Sequence, residues 1–462
     1  RFRHELVRGA LATDAHPGRV ALLHREAGRA LAGRPDADPL ALAEHARLGG
    51  DLPLAARSLV AAAARAGERF DHATAERLLD EALQLHPHGE AWRARAHVRT
   101  RRGRYADALA DVEAAQAAGV DAQEVGAWAA YFDRNFDLAI SYARAGELTA
   151  TDPAVRVRCL MVGGRTLHAR GQLADAELRL GDALAAATGP DRITASAWLG
   201  ILRAHQSRVD EALALMRPAT VQNAVEHSAA TLHALLFSGH AQALAGRPAE
   251  ALAVLARYTE EVQRRDLPRF GGRGVNFGGW VLRNVGAVEE GVDAHHRALA
   301  HAERTADVEV AALQDLADER LIAGDPEAAA DWLGRAEARD TADLVFGWRL
   351  AFKSRLLRAR LALLSESLEE AAATAQSLAE DAGALGVPRY AAPARLLAAR
   401  ARRRLGEFVD PAVVTADVAE VQRAVAIEAW WWVRDTGVDL GVPRWIDWGE
   451  AAGRRLASAR TG

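Results

Sequence analysis

The run from Arg158 to Ala187, RCLMVGGRTLHARGQLADAELRLGDALAAA, is two amphipathic stretches broken at Gly171-Gln172. In the first, Leu160, Gly164 and Leu167 share one face, because spacings of three and four residues bring side chains together on a helix. In the second, Ala176, Leu180 and Ala183 do the same. Gly164 opposite Ala176 puts two small residues at a crossing, so two antiparallel helices can approach closely. The stretch is therefore a helical hairpin.

The hairpin recurs. Positions equivalent to Gly164 are Ala96, Ala127, Gly200, Gly239, Gly279, Ala317 and Ala359. Twelve residues after each comes a second small residue: Ala108, Ala139, Ala176, Ala212, Ala251, Gly291, Ala329 and Ala371. A third column, nineteen residues on, holds Ala115, Gly146, Ala183, Ala219, Tyr258, Ala298, Ala336 and Leu378. This pattern resembles the tetratricopeptide repeat, with Trp92, Ala96, Tyr105, Ala108 and Ala115 as its best single match. The resemblance implies an all-α fold, a right-handed α-α superhelix of helical hairpins. Asp152-Pro153, Gly189-Pro190, Arg217-Pro218 and Asp325-Pro326 punctuate the units where helices begin or end. Asp325 is expected to cap the helix that Pro326 opens. Asp36 to His88 forms about two further hairpins.

Composition agrees. By length alone, 462 residues suggest about three domains, but repeats favour one elongated solenoid. Half the residues are hydrophobic, and the net charge of −4 implies no general affinity for nucleic acid. The single cysteine, Cys159, excludes an intramolecular disulfide and suits a reducing cytoplasm. There is no membrane-length apolar run and no signal peptide. Of the 58 basic residues all but Lys353 are arginine, which with the abundant alanine suggests a GC-rich bacterial genome. The first residue is Arg1 rather than methionine, and the chain is read as a fragment.

The start of the chain stands outside the repeats. Phe2, His4, Leu6 or Val7, and Arg8, followed by Arg19, Leu23 and His24, form an element that resembles the end of the ATPase module in large ATP-dependent bacterial transcriptional regulators of the LuxR type, akin to the maltotriose regulators. In those proteins a helical-repeat region follows. The resemblance implies three segments: residues 1–33 as a winged-helix-like remnant of the ATPase module, 34–383 as the tetratricopeptide-like array, and 384–462 as degenerate repeats and capping helices. No G-x-x-x-x-G-K-[ST] phosphate loop occurs, and the C-terminal PRWIDWGEAAGRRLASARTG has no helix-turn-helix character. An ATPase and a DNA-binding domain would thus lie in flanking sequence.

Catalysis finds no support. The sixteen histidines show no metal-ligand spacing, and His295-His296 read as solvated helix positions. Cys159 reads as a buried, inert thiol. Glu260-Glu261 and Glu369-Glu370 read as solvent faces. No cofactor is expected and the chain is read as non-enzymatic. Trp430, Trp431 and Trp432 cannot share one face, since consecutive helical residues diverge by roughly 100°. Two are expected to pack in a capping hairpin, with the third partly exposed or part of a docking surface for a neighbouring domain.

The sharpest functional signal is the groove. In a tetratricopeptide superhelix the first helix of each hairpin lines the concave face, and the resemblance assigns to that face Arg165, His168, His240, Arg273, Asn276, Trp280, Arg283, Asn284, Lys353 and Arg360. His205, His233, Gln314 and Asp318 accompany them. Within RFGGRGVNFGGWVLRN, residues 269–284, a helix starting near Gly272 to Gly274 puts Arg273, Asn276, Trp280 and Arg283 on one face. Amides at that helix start and two arginines would favour an anion. The expected ligand is an anionic small-molecule effector or an acidic peptide segment, met at exposed polar positions. Neither direct nucleic-acid contact nor membrane contact is expected. The two readings of function are a non-catalytic sensor region of a transcriptional regulator and a free-standing peptide-binding adaptor.

Overall fold

A computed structural model describes residues 16–221, 229–264, 267–301 and 305–459, and every element among them is a helix. Phe2, His4, Leu6, Val7 and Arg8 lie outside the described residues. Packing divides the chain into two compact units, residues 1–163 and 164–462. The first contains α1 (Pro17–Ala32), α2 (Pro39–Leu48), α3 (Leu52–Glu68), α4 (His72–Leu85), α5 (Gly89–Arg101), α6 (Tyr105–Ala117), α7 (Gln123–Phe132), α8 (Phe136–Thr149) and most of α9 (Pro153–Ala169). The second contains the end of α9, then α10 (Leu173–Ala186), α11 (Gly189–His205), α12 (Val209–Val221), α13 (Ala229–Leu244), α14 (Pro248–Arg264), α15 (Pro268–Asn284), α16 (Val288–Ala300), α17 (Ala306–Ile322) and α18 (Pro326–Glu337). It closes with α19 (Gly347–Leu364), α20 (Leu368–Ala384), α21 (Pro388–Arg404), α22 (Pro411–Ala424), α23 (Ala426–Leu440) and α24 (Pro443–Ser458). The fold is all-α, a succession of paired helices of tetratricopeptide type.

Local sequence explains the helix starts. Asp51, Asp71, Asn135 and Asp325 each accept a hydrogen bond from the backbone N–H three residues on, at 3.0–3.2 Å, filling a donor that the first turn leaves open. The prolines punctuate less strictly than expected. Pro218 lies inside α12 and Pro393 inside α21, where each removes one donor from the helix ladder without ending it. Residues 36–88 hold three helices, α2 to α4, rather than two full hairpins.

The small-residue columns are where the paired helices cross. Ala96, Ala108, Ala127, Ala139, Ala176, Ala212, Ala251, Ala317, Ala359 and Ala371 are all at 0 % exposure. A Cβ at Gly164 would sit 2.8 Å from Leu180, at Gly200 2.7 Å from Met216, at Gly239 2.7 Å from Leu255, and at Gly279 2.9 Å from the Gly291 carbonyl oxygen. Each is closer than packed atoms allow, so side-chain absence sets the helix separation. In the first unit, Arg95 pairs with Asp111 (2.7 Å) and Arg99 with Glu76 (2.9 Å), tying α5 to α6 and α4 through carboxylates that are themselves buried. Cys159 is buried and free, and burial pushes its thiol up to about 12.

Trp431 and Trp432 are buried on α23, and Trp430 is half-buried beside Gly453 with the Arg434 guanidinium 5.2 Å from its ring centre. His295 and His296 part company. His296 is exposed, but His295 is fully buried and hydrogen-bonded to Asn276, contrary to the solvated reading of the pair. Among the described residues no helix is long and apolar enough to cross a membrane, and no group of three or more His, Cys, Asp or Glu side chains could hold a metal.

Candidate functional site: the interior of the second unit

In the second unit the first helices of the hairpins, α11, α13, α15, α17, α19, α21 and α23, turn the same register positions inward. The unit winds tightly enough that hairpins far apart in sequence meet. The Trp348 indole donates to the His168 carbonyl at 3.1 Å, and the Phe346 backbone N–H to the Ala169 carbonyl at 3.2 Å. The Trp280 indole donates to Glu428 at 2.5 Å, and Arg389 to His240. Gly171, at φ +82°, permits the first of these closures, since its backbone faces Trp348, and a Cβ would lie 3.1 Å from the ring. The concave face is therefore an interior filled by side chains rather than an open groove.

One side of that interior is a balanced ionic network. Arg283 on α15 meets Asp318 on α17 at 2.8 Å, with Glu319 at 3.9 Å and Glu428 at 4.0 Å. Arg360 on α19 also pairs with Asp318, and Lys353 pairs with Asp315 at 2.5 Å. Asn276 donates to Asp315 at 2.7 Å and accepts from His295 at 2.8 Å. Burial alone would raise the Asp315 and Asp318 carboxyls, yet the surrounding cations outweigh it and hold both below the usual carboxylate range. For Glu319 burial prevails and its carboxyl is raised.

The other side is cationic and aromatic. His168 and His205 are in contact through their ring nitrogens at 2.8 Å, and His205 faces an Arg349 Nη at 3.2 Å. Phe346 packs on both histidines, and Phe277 stacks on His240 with ring centres 5.0 Å apart. The Arg165 guanidinium lies between Trp198 (4.3 Å) and Phe346 (4.6 Å), and that of Arg389 lies 4.9 Å from the Trp280 ring centre. Burial, then the nearby arginines, push His168, His205 and His240 well below the ordinary imidazole value, so all three are neutral at pH 7. Among the described residues neither Arg349 nor Arg389 has a carboxylate in ion-pair contact. A cavity of about 70 Å³ opens here, lined by Arg165, Arg273, Arg349, Phe277 and Phe346 together with the Asp307 carboxylate.

The expected site residues thus lie together in the second unit, but not as expected. Arg165, His168, His240, Asn276, Trp280, Arg283 and Asn284 are buried rather than exposed. Arg273 is a quarter open, paired to Asp307 by two hydrogen bonds of 2.9 Å. Trp280 fills the interior instead of walling an open groove. Arg283 and Asn284 also border a second hollow, of about 340 Å³, beside Glu319, Trp430, Trp431 and Arg434. The helix start expected at Gly272 to Gly274 falls instead at Pro268, so no free amides stand near Arg273. Packing overrides the poor helix propensity of these glycines, because a Cβ at Gly272 would lie 2.8 Å from Val308. Sequence reading missed Asp307, Asp315, Phe346, Trp348, Arg349, Arg389 and Glu428. The acidic partners lie about one unit away in sequence, before or after their cation. Arg273 to Asp307 spans 34 residues, Lys353 to Asp315 38, and Arg360 to Asp318 42, all near the repeat length.

Paired helices with small residues at each crossing and polar first-helix side chains turned inward define a tetratricopeptide-like repeat protein. Among solved structures, the chain resembles the Rap protein complexed with competence and sporulation factor, with a TM-score of 0.54 at 14% identity over 73% of this chain and 96% of that one. Human IFIT1, solved as a dimer with m7Gppp-AAAA, gives a TM-score of 0.47 at 14% identity over 96% of this chain and 95% of that one. No family model matches the sequence, and no curated protein matches it.

Proposed function

We propose that this chain is the non-catalytic sensor region of a bacterial ATP-dependent transcriptional regulator, acting in the cytoplasm and binding its effector within the second unit. On this reading residues 1–33 end the ATPase module, 34–383 form the array and 384–462 cap it. The observation that carries the binding role is the interior itself. A chain of net negative charge gathers arginine, histidine and aromatic side chains at one buried place, around a cavity. Arg165, His168, His240, Arg273, Asn276, Trp280, Arg283, Asn284, Lys353 and Arg360 belong to this interior. The ligand is an anionic small-molecule effector or an acidic peptide segment. Binding would signal by favouring one winding of the hairpins over another, and the neighbouring ATPase and DNA-binding domains would receive the change.

The second reading, a free-standing adaptor that holds a peptide segment of a partner, draws on the Rap protein, whose fold is similar and which was solved with a bound factor. The gene separates the two. The regulator reading expects a phosphate-binding loop encoded in frame upstream of Arg1 and a helix-turn-helix domain upstream or downstream. A start codon just before Arg1 and a stop codon just after Gly462 would overturn it and leave the adaptor.

A further inference from the structure

The larger hollow lies where the C-terminal helices α23 and α24 meet the ends of α15 and α17. Arg283, Glu319 and Trp431 line its buried part, each no more than 5% exposed. Val288, Ile322 and Ala457 line its open part and are exposed. A volume of about 340 Å³ falls within the range of small-molecule sites. Four of the lining side chains hold polar atoms that are out of water and lack a hydrogen-bond partner among the described residues. These are the Trp430 and Trp431 indole nitrogens, Arg283 Nε and Glu319 Oε2. Arg283 Nε and Glu319 Oε2 stand 3.9 Å apart, too far to satisfy each other. Buried polar groups left open are costly, so four around one hollow call for a partner inside it.

The charges around the hollow decide what that partner is. Every cation in the lining is matched: Arg283 with Asp318 at 2.8 Å, Arg434 with Asp435 at 2.7 Å and Arg454 with Glu450 at 3.7 Å. An anion would add to Glu319 and Glu450. A cation would meet the guanidinium groups of Arg434 and Arg360, which lie 5.2 and 4.4 Å from the ring centres of Trp430 and Trp431 and already use the attraction those rings offer. Burial raises the Glu319 carboxyl toward its neutral form. An uncharged ligand remains. The indole and guanidinium N–H groups need an acceptor and the Glu319 oxygen needs a donor, and an amide carries both.

We propose that this hollow is a binding site for an uncharged small molecule with a flat apolar body and an amide group, the amide toward Glu319 and the body toward Val288, Ile322 and Ala457. Its occupant joins the C-terminal helices to the array. The site goes beyond the sensor reading, does not depend on it, and stands apart from the cavity beside Arg349.

The test is calorimetry and thermal unfolding of the full chain with benzamide, benzoate and benzylammonium, one ring bearing a neutral, an anionic and a cationic group. Benzamide should bind and raise the unfolding midpoint. Both charged analogues should bind at least about tenfold more weakly, since each buries a charge without a partner. Ala457→Phe, at an exposed position, narrows the hollow at little cost to folding and should remove the benzamide response. Val413→Phe, 73% exposed on α22, should keep it. Glu319→Leu should weaken benzamide roughly two- to tenfold, the loss of one hydrogen bond. Should Glu319→Leu fail to fold, Ala457→Phe decides alone. The proposal is overturned if benzamide gives no response, if either charged analogue binds as tightly, or if a folded variant of Ala457 or Glu319 binds benzamide as wild type does. Those results would leave the sensor reading standing, because it is judged from the flanking gene.

Discussion

At the scale of single residues, the two arginines that sequence spacing pairs behave as opposites. Arg273 and Asp307 are each about a quarter exposed (25% and 26%), where an ion pair adds little because water screens it and two side chains must be ordered. Arg283 is 3% exposed and Asp318 6%, and removing one partner from such a pair leaves buried charge uncompensated. Arg283→Ala is therefore expected to lower unfolding free energy by about 3–5 kcal/mol, and Arg273→Ala by about 1 kcal/mol or less. Urea unfolding of the two variants checks this, and equal losses would refute the distinction. Spacing alone placed both on one face of a helix, which is correct. Depth depends on what crosses over that face, and Glu428 does so from 145 positions beyond Arg283.

At the scale of the helix, the small residues mark crossings and can be told apart within one turn. Gly279 sits where a Cβ would meet the Gly291 carbonyl oxygen at 2.9 Å, whereas a Cβ at neighbouring Gly278 would meet nothing within 4 Å. Gly279→Ala should thus destabilise by about 1–3 kcal/mol through overpacking. Gly278→Ala should be neutral or stabilise by up to about 1 kcal/mol, since alanine is the better helix former. Thermal melts of both variants decide it, and equal effects would deny the crossing. The hairpins were legible because the columns Gly164, Gly200, Gly239, Gly279 and their partners recur in phase, and helix pairing is a local property of such spacing. The closed interior was not legible. Trp348 against His168 and Arg389 against His240 depend on cumulative winding over several hairpins, and no window of sequence contains both members.

At the scale of the whole molecule, the buried histidines of the second unit make stability depend on pH. Burial and neighbouring arginines depress His168, His205 and His240, and burial takes His295 to about 4. Below pH about 6.5 the unfolded chain takes up protons at these rings while the folded chain does not. The stabilisation is complete above that pH and is lost as pH falls toward the depressed folded values. The loss is up to about 1.4 kcal/mol per pH unit for each histidine. The urea midpoint should fall clearly between pH 7 and pH 5. A flat profile would mean that the rings are solvated.

The closure of Trp348 and Phe346 onto His168 and Ala169 has a consequence for synthesis. Each hairpin completes its own crossing within a few dozen residues, so its local packing is available early in synthesis. The inner faces of α9, α11 and α13 cannot be covered until α19 and α21 have been made, some 140 to 180 residues later. At roughly 5–20 residues per second, this interval runs from about seven seconds to more than half a minute. For that time the nascent chain carries an uncovered strip of Phe237, His205 and His240. Contacts of such long separation also slow folding. The polar character of the interior then has a second meaning. A strip of histidines and arginines waiting for its cover stays wetted, where a purely aliphatic one would seek the nearest other chain.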